Sequence, residues 1–143
     1  MNKTYHIKSE TEMMDLGAEL SKICGDSCII YLTGVLGAGK TVLVRGFLRA
    51  LGHKGPVTSQ TFTLVEPYQL HGKQIYHFDL YRVTNPQELE NIGIRDYFIE
   101  PAIFLIEWPE NGKNMLPKAD ITCDIKIIKD GRKVYIKTNL PFV

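Results

Sequence analysis

The sequence predicts an α/β fold in which helices flank a mixed sheet of about seven strands. Apolar segments of strand length, at residues 28–33 and 102–108, alternate with amphipathic helical segments, which is typical of parallel strands. Two pairs of strand-like segments are joined by tight turns at residues 71–72 and 130–131, which indicates antiparallel hairpins. We therefore expect parallel strands in the centre of the sheet and hairpins at its edges.

In the N-terminal half, residues 5–8 alternate weakly and predict a first strand. Ser9 and Glu12 have the spacing of a capping box, which predicts a helix that ends near residue 23. The apolar run at residues 28–33 predicts a buried strand. A helix over residues 40–51 follows, because its apolar side chains recur at helical spacing.

In the C-terminal half, residues 61–69 and 74–81 predict the two strands of a hairpin. Asn85 followed by Pro86 indicates a helix start, and Gly93 indicates its end. The apolar run at residues 102–108 predicts a fully buried central strand. Residues 121–128 and 133–138 predict a final hairpin around an Asp-Gly turn.

The overall composition fits one soluble domain spanning residues 1–143, with 44% hydrophobic and 23% charged residues. No apolar stretch approaches the roughly 18 residues of a membrane span, and the first ten residues lack a signal-peptide pattern, so we expect a cytoplasmic location. The three cysteines are expected to be reduced thiols that bind no metal. A net charge of +1 does not indicate stable nucleic-acid binding by the chain alone.

The octet GVLGAGKT at residues 34–41 follows the strand at residues 28–33 and matches the phosphate-binding P-loop pattern G-x-x-x-x-G-K-[ST]. In this pattern backbone N–H groups surround phosphate oxygens, the lysine reaches the β- and γ-phosphates, and the hydroxyl ligates Mg²⁺. Lys40 and Thr41 take the last two roles here. The pattern predicts phosphate contacts at Gly37, Ala38, Gly39, Lys40 and Thr41.

Two carboxylates at predicted strand ends complete this site. Nucleotide hydrolysis needs an oxygen anchor for Mg²⁺ and a group that positions water. Glu107 closes the run AIFLI, and Asp79 closes the run IYHF. We assign Glu107 to Mg²⁺ or its water shell, and Asp79 either to positioning water or to supporting the groups that contact the metal, although the roles of the two acids could be exchanged. With Lys40, these acids are the predicted catalytic residues.

Three further features have open interpretations. The loop at residues 58–61 is either a switch that senses the γ-phosphate or a polar turn. Arg45, Arg49 and His53 form a helical stripe that is either a solvated face or a docking surface. Trp108, beside Glu107, is expected to belong to the core rather than to contact a ligand.

Several nucleotide-binding classes are excluded by the sequence. A guanine-reading N-K-x-D motif is absent, the chain is too short for a ring-forming motor with its lid, and we locate no acceptor pocket for a kinase. A minimal adenine-nucleotide ATPase remains the best interpretation. The alternatives are a nucleotide-gated interaction module with negligible hydrolysis and a small P-loop kinase.

Five motifs in order, GVLGAGKT, TSQTFTLVEPY, YHFDLYR, PQELENIGIRDYF and LIEWPE, resemble the TsaE (YjeE) family of small ATPases. The resemblance implies ATP and Mg²⁺ as cofactors and association with the TsaB and TsaD proteins. In that complex TsaD transfers threonylcarbamoyl to N6 of adenosine 37 in tRNAs that read codons beginning with A. The resemblance also implies that slow ATP hydrolysis resets the complex between turnovers. It implies contact with tRNA only through the complex, and it implies no contact with a membrane.

Residue by residue, the resemblance maps the family's phosphate loop onto residues 36–41 and its two acids onto Asp79 and Glu107. It also implies nucleotide contacts at Glu10, near the start of the first helix, and near the last hairpin turn, around Gly131 and Arg132. The metal ligands that it implies are Thr41 and Glu107.

The chain departs from the family pattern at three positions. Val35 stands where the family usually has Asp, Val42 where it has Thr, and Gln60 where it has Pro. Val35 removes a charge beside the phosphate loop, which bears on metal affinity and partner contact. Gln60 loosens a loop whose φ a proline fixes, which bears on switching.

Overall fold

The computed structural model describes residues 2–57 and 64–141, which form one seven-stranded sheet in the order β1-β7-β6-β2-β5-β4-β3. The strands are β1 (Asn2–Ile7), β2 (Cys28–Thr33), β3 (Val65–Leu70), β4 (Lys73–Asp79), β5 (Ile103–Glu107), β6 (Ile121–Ile128) and β7 (Gly131–Thr138). The helices are α1 (Glu10–Ile23), α2 (Lys40–Ala50), α3 (Gln87–Asn91) and α4 (Ile94–Tyr97), and Pro109–Met115 adds a 3₁₀ segment.

The pairing of the strands confirms the predicted mixed sheet. β2 lies parallel to both β5 and β6, and β5 lies parallel to β4. Antiparallel pairs form the two edges, β3 with β4 on one side and β7 with β6 and β1 on the other. Because β2, β4 and β5 run in one direction, their carboxyl ends meet at one edge, where ligands bind in open α/β sheets.

Local capping signals predicted from the sequence are in place. The Ser9 hydroxyl accepts a hydrogen bond from the Glu12 N–H at 3.1 Å, and the Glu12 carboxylate accepts from the Lys8 N–H at 2.8 Å. Before α3, the Glu88 carboxylate accepts from the backbone N–H groups of Thr84 and Asn85, which lowers the pKa of Glu88. These contacts satisfy N–H groups that a helix start leaves without intrahelical partners.

Helices α1 and α2 pack together on one face of the sheet and place the P-loop against α1. At their crossing, a Cβ atom at Gly46 would lie 2.1 Å from the carbonyl oxygen of Met14, so only glycine allows the backbones to approach this closely. Leu16, Leu20 and Phe47 are buried between these helices and the sheet. The other face, over β4 and β5, carries a second core cluster that α3 and α4 cover.

Two element predictions were wrong in detail, and two elements were not predicted. β1 begins at Asn2 and ends at Ile7, because pairing with β7 along its whole length overrides its weak alternation. β3 begins at Val65, and residues 61–63 of the predicted strand lie outside the described residues. The short helix α4 and the 3₁₀ segment were not predicted, since Gly93 ends α3 but the chain re-enters a helical turn directly after it.

The three cysteines are free and buried, in agreement with the sequence prediction. Burial raises the pKa of Cys123 to about 12, and a hydrogen bond with Cys28, together with burial, raises the pKa of Cys24. Cys24 and Cys123 are therefore protonated parts of the core. Among the described residues, no helix combines the length and the apolar character that crossing a membrane requires.

Candidate functional site

The P-loop connects the end of β2 to the start of α2. Gly39 precedes the helix with φ 115°, a conformation that side chains disfavour, and α2 has no side-chain cap at its N-terminus. The N-terminus of a helix presents N–H groups that have no intrahelical partners, and the helix dipole favours an anion at this position. The loop therefore has the backbone geometry of a phosphate site.

Lys40 is almost completely buried, with 4% of its surface exposed. Its Nζ donates hydrogen bonds to the carbonyl oxygens of Gly34 at 2.5 Å and Val35 at 2.9 Å, and it lies 4.5 Å from the centre of the Trp108 ring. Burial lowers the pKa of Lys40, while the nearby carboxylates of Glu107 and Asp79 oppose that shift. A phosphate must therefore compete with carbonyl groups of the loop for this ammonium group.

Asp79 and Glu107 lie side by side at the carboxyl ends of β4 and β5, because these two positions are paired in the parallel register. Both carboxylates are buried. Asp79 accepts a hydrogen bond from the N–H of Tyr81 at 3.1 Å. Burial raises the pKa of Asp79, and the negative charge of Glu107 raises it further. The sheet thus brings together the two acids that the sequence predicted for one site.

The Glu107 carboxylate is held between Thr41 and His77. The Thr41 hydroxyl lies 3.1 Å from Oε2 and 3.3 Å from Oε1, and Nε2 of His77 lies 2.6 Å from Oε2. His77 is completely buried and was not predicted as a site residue. The period-2 alternation of a strand could have found it, because residues 77 and 79 point to the same face of β4.

Two cavities adjoin the P-loop. The larger, about 530 Å³, is lined by the P-loop lysine and threonine, both acids and the aromatic residues beyond them: Glu10, Leu36, Gly37, Gly39, Lys40, Thr41, Val42, Asp79, Tyr81, Arg82, Glu107 and Trp108. The smaller, about 240 Å³, lies between α1, the P-loop and the last hairpin, and Glu10, Ala38 and Gly131 line it. All of the predicted contact residues therefore lie around two adjoining cavities.

Arg132 contacts the P-loop and, next to Gly131, lines the smaller cavity. Its Nε donates to the Ala38 carbonyl at 2.9 Å, and Nη2 donates to the Gly37 carbonyl at 3.2 Å. From the sequence, only the family resemblance placed this turn near the nucleotide, because Arg132 and Ala38 lie more than 90 positions apart. Hydrogen bonds from a charged guanidinium group are stronger than neutral ones, so Arg132 stabilises the conformation of the loop.

The remaining sequence interpretations are resolved in part. Arg49 donates to the carbonyls of His53 and Gly55, so this residue of the stripe stabilises the turn that follows α2. Trp108 packs against the second core cluster, but its ring also faces Lys40 and the larger cavity, so a core role alone was too narrow. The predicted switch at residues 58–61 lies outside the described residues.

A divalent cation fits the oxygen atoms at the cavity floor. The Thr41 hydroxyl and both Glu107 oxygens are adjacent, and all are hard ligands of the kind Mg²⁺ prefers. Residues 2–57 and 64–141 contain no cluster of three or more His, Cys, Asp or Glu that could hold a metal alone. An ion here would take most of its ligands from water and phosphate, which is the usual arrangement for Mg²⁺.

The sheet, the P-loop and the paired acids define a P-loop NTPase-like α/β protein. The family model described as "Threonylcarbamoyl adenosine biosynthesis protein TsaE" matches residues 7–134. The chain belongs to the TsaE family, as the sequence motifs predicted.

Individual relatives agree with this assignment. The tRNA threonylcarbamoyladenosine biosynthesis protein TsaE of Haemophilus influenzae is 47% identical over 144 residues, covering 96% of this chain and 91% of that protein. Its counterpart from Treponema pallidum is 31% identical over 118 residues, covering 82% and 86% of the two chains. The crystal structure of Bacillus subtilis YdiB superposes with a TM-score of 0.77 and 25% identity, covering 95% of this chain and 84% of that one.

Proposed function

We propose that this protein is an ATP-binding, slowly hydrolysing ATPase that serves tRNA threonylcarbamoyladenosine synthesis. The observation that carries the proposal is the convergence of Lys40, Thr41, Asp79 and Glu107 on one cavity. Relatives named for this pathway match nearly the whole chain, which supplies the biological setting. The protein thus acts on nucleotide and, through its partners, on the modification of adenosine 37.

Nucleotide binding begins at the N-terminus of α2. The phosphates interact with the loop N–H groups, and Lys40 leaves the carbonyls of Gly34 and Val35 to reach them. The smaller cavity beside Glu10 and Gly131 receives the nucleoside. Because Lys40 must first break two hydrogen bonds, the free protein resists the catalytic arrangement, which fits slow turnover alone.

The acids complete the chemistry. Thr41 and Glu107 would hold Mg²⁺, which would supply neutralisation of the negative charge on the phosphates. Asp79 positions the attacking water, since its carboxylate projects into the same cavity beside Glu107. Its raised pKa makes it a better proton acceptor than an ordinary aspartate. His77 keeps the Glu107 carboxylate directed toward Thr41.

The partners we propose are TsaB and TsaD, with tRNA reached through their complex in the cytoplasm. Exposed apolar side chains surround the cavity mouth: Val35 and Leu36 are each 60% exposed, and Tyr81 is 43% exposed. Apolar groups of this size around a ligand site are typical of a surface that a partner covers. Val35, where the family usually has Asp, then contributes to partner contact rather than to metal binding.

Phosphate release, measured with and without TsaB and TsaD, tests the proposal. We expect slow Mg²⁺-dependent hydrolysis that the partners accelerate. Lys40→Ala is expected to weaken nucleotide binding, whereas Glu107→Ala is expected to retain most binding and lose Mg²⁺-dependent turnover. Background hydrolysis with partners present would show that the chain is a nucleotide-gated interaction module. A phosphorylated small-molecule product would show that it is a kinase.

A further inference from the structure

The three strands β1, β7 and β6 have one buried and one uncovered face. Val134, Ile136 and Ile125 point toward α1 and α2 and belong to the core. The opposite face contributes no residue to either core cluster in the part of the chain that the structure describes. The uncovered face of these three strands, called the platform below, is therefore accessible to a partner.

The strand register arranges the uncovered side chains in three rows across β1, β7 and β6. The middle row has Tyr135 at its centre, on the central strand of the three; this ring is 39% exposed, and Nζ of Lys133 lies over one of its faces, 5.6 Å from its centre. The rows on either side are centred on Lys133 and Lys137. Across the strands the rows read Asn2–Lys137–Thr122, Thr4–Tyr135–Asp124 and His6–Lys133–Lys126.

The charge on this platform is predominantly positive. Its nine positions carry three lysines and a histidine but a single carboxylate, that of Asp124. Asp124 accepts a hydrogen bond from the Thr33 hydroxyl at 2.9 Å and lies 3.7 Å from Nζ of Lys126, so neighbouring groups already neutralise part of its charge. The chain's small net charge therefore conceals an uneven distribution.

A cavity of about 320 Å³ continues the platform beside β2. Tyr31, Lys118, Asp120 and Lys137 are among its lining residues. Tyr31 is paired with Thr122 in the β2–β6 register, so a second aromatic ring adjoins the row that contains Lys137. The platform and cavity together combine aromatic rings, lysines and hydroxyl groups on one continuous surface.

We propose that this platform binds a single-stranded segment of RNA, with a base stacked on Tyr135 and phosphates on Lys126, Lys133 and Lys137. An exposed aromatic ring on a central strand, flanked by cations, is the arrangement by which open sheets hold single-stranded RNA. The inference rests on the proposed function, since tRNA is the RNA present in that setting. It adds a direct, weak RNA contact to a role in which tRNA is otherwise reached only through partners.

Fluorescence anisotropy of the full chain with a labelled single-stranded RNA of about ten nucleotides tests this proposal. Binding is expected to weaken as salt increases. Lys133→Gln with Lys137→Gln should reduce the slope of log affinity against log salt by about 1.4. Tyr135→Ala should lower affinity roughly 5- to 150-fold, while Tyr135→Phe retains stacking and affinity.

Lys22→Gln with Lys54→Gln is the matched control, because both lysines are exposed and lie away from the platform. Equal RNA affinity in the platform and control variants, or no binding by the parent chain at low salt, overturns the proposal. So does equal binding of labelled polyglutamate, which would indicate a docking site for an acidic protein. The platform variants should hydrolyse ATP at the rate of the parent chain. If neither the parent nor any variant hydrolyses ATP, the proposed function fails, whereas the RNA-binding proposal is judged by the anisotropy measurements.

Discussion

The Nε2 atom of His77 lies 2.6 Å from Oε2 of Glu107, and both side chains are almost completely buried. Nδ1 of His77 is also buried and has no hydrogen-bond partner among the described residues. This arrangement fits the tautomer that carries its proton on Nε2, since a buried N–H at Nδ1 without an acceptor costs free energy. His77 therefore donates to the carboxylate and fixes the orientation in which Thr41 meets it.

Replacing His77 with Ala should impair the response to Mg²⁺ more than the binding of ATP. The substitution leaves a buried carboxylate without one partner, a loss of about 1–3 kcal/mol. We expect the Mg²⁺ concentration for half-maximal hydrolysis to rise about tenfold, whereas His77→Gln, which keeps a donor, should show a smaller rise. Metal titrations of phosphate release measure this.

His71→Asn, a substitution at an exposed position, is the matched control for this series. Asn tolerates the positive φ of that position, so the fold should be unaffected. If His77→Ala and the parent need the same Mg²⁺ concentration, His77 serves only packing.

Trp108 should report nucleotide binding by its fluorescence. It is the single tryptophan of the chain, and the Lys40 ammonium lies 4.5 Å from its ring centre. Phosphates that draw Lys40 from the ring change the electrostatic surroundings of the indole. We expect an emission change that saturates with ATP and is lost in Lys40→Met, but not in the exposed Lys54→Met. An unchanged emission at ATP concentrations that saturate a labelled-nucleotide assay contradicts this prediction.

Local chemistry made part of this protein predictable from its sequence. The glycine-rich octet, the Ser9 cap and the Asp130–Gly131 turn each depend on residues a few positions apart. The paired acids followed from two apolar runs, because parallel strands end at one edge. Strand alternation places residue 77 on the same face as Asp79, but the hydrogen bonds of His77 and Arg132 could not be derived from local chemistry, since their partners lie 30 and 94 residues away.

Gly46→Ala should destabilise the fold. In a helix interior, alanine is normally more stabilising than glycine by about 0.5–1 kcal/mol. At this position, however, its Cβ would lie 2.1 Å from the Met14 carbonyl oxygen. Helix α1 must shift away from α2, and overpacking of this kind costs about 1–3 kcal/mol or more. Urea unfolding should show a lower midpoint than for the parent and for Lys22→Ala, an exposed substitution on α1. A midpoint above the parent's would mean that α1 adjusts freely.

Arg132→Gln should weaken ATP binding without unfolding the protein. Two hydrogen bonds from the charged guanidinium group hold the carbonyls of Ala38 and Gly37, and such bonds contribute about 1.5–3 kcal/mol. We expect roughly a tenfold loss of affinity in Trp108 fluorescence titrations. The adjacent Lys133→Gln, which points to the opposite face of β7, should bind ATP like the parent. If Arg132→Gln and Lys133→Gln bind ATP with equal affinity, the loop holds its shape without Arg132.

Asp79→Asn should make the protein more resistant to unfolding at neutral pH while it removes hydrolysis. Burial, with a further contribution from Glu107, raises the pKa of Asp79 in the folded protein above its ordinary value. The folded state therefore binds this proton more tightly than the unfolded state, and the wild-type protein loses stability as pH rises from the ordinary aspartate pKa through the raised one. Asparagine does not ionise and can still accept the hydrogen bond from the Tyr81 N–H.

The difference in unfolding free energy between Asp79→Asn and the parent should accordingly be larger at neutral pH than below the ordinary aspartate pKa. Urea unfolding at both pH values measures it. Asp96→Asn, at an exposed position on α4, is the matched control and should show a smaller dependence on pH. A difference that is constant with pH, or that favours the parent at neutral pH, contradicts the assignment. A gain in stability with a loss of turnover is the pattern expected where a buried carboxylate is retained for chemistry.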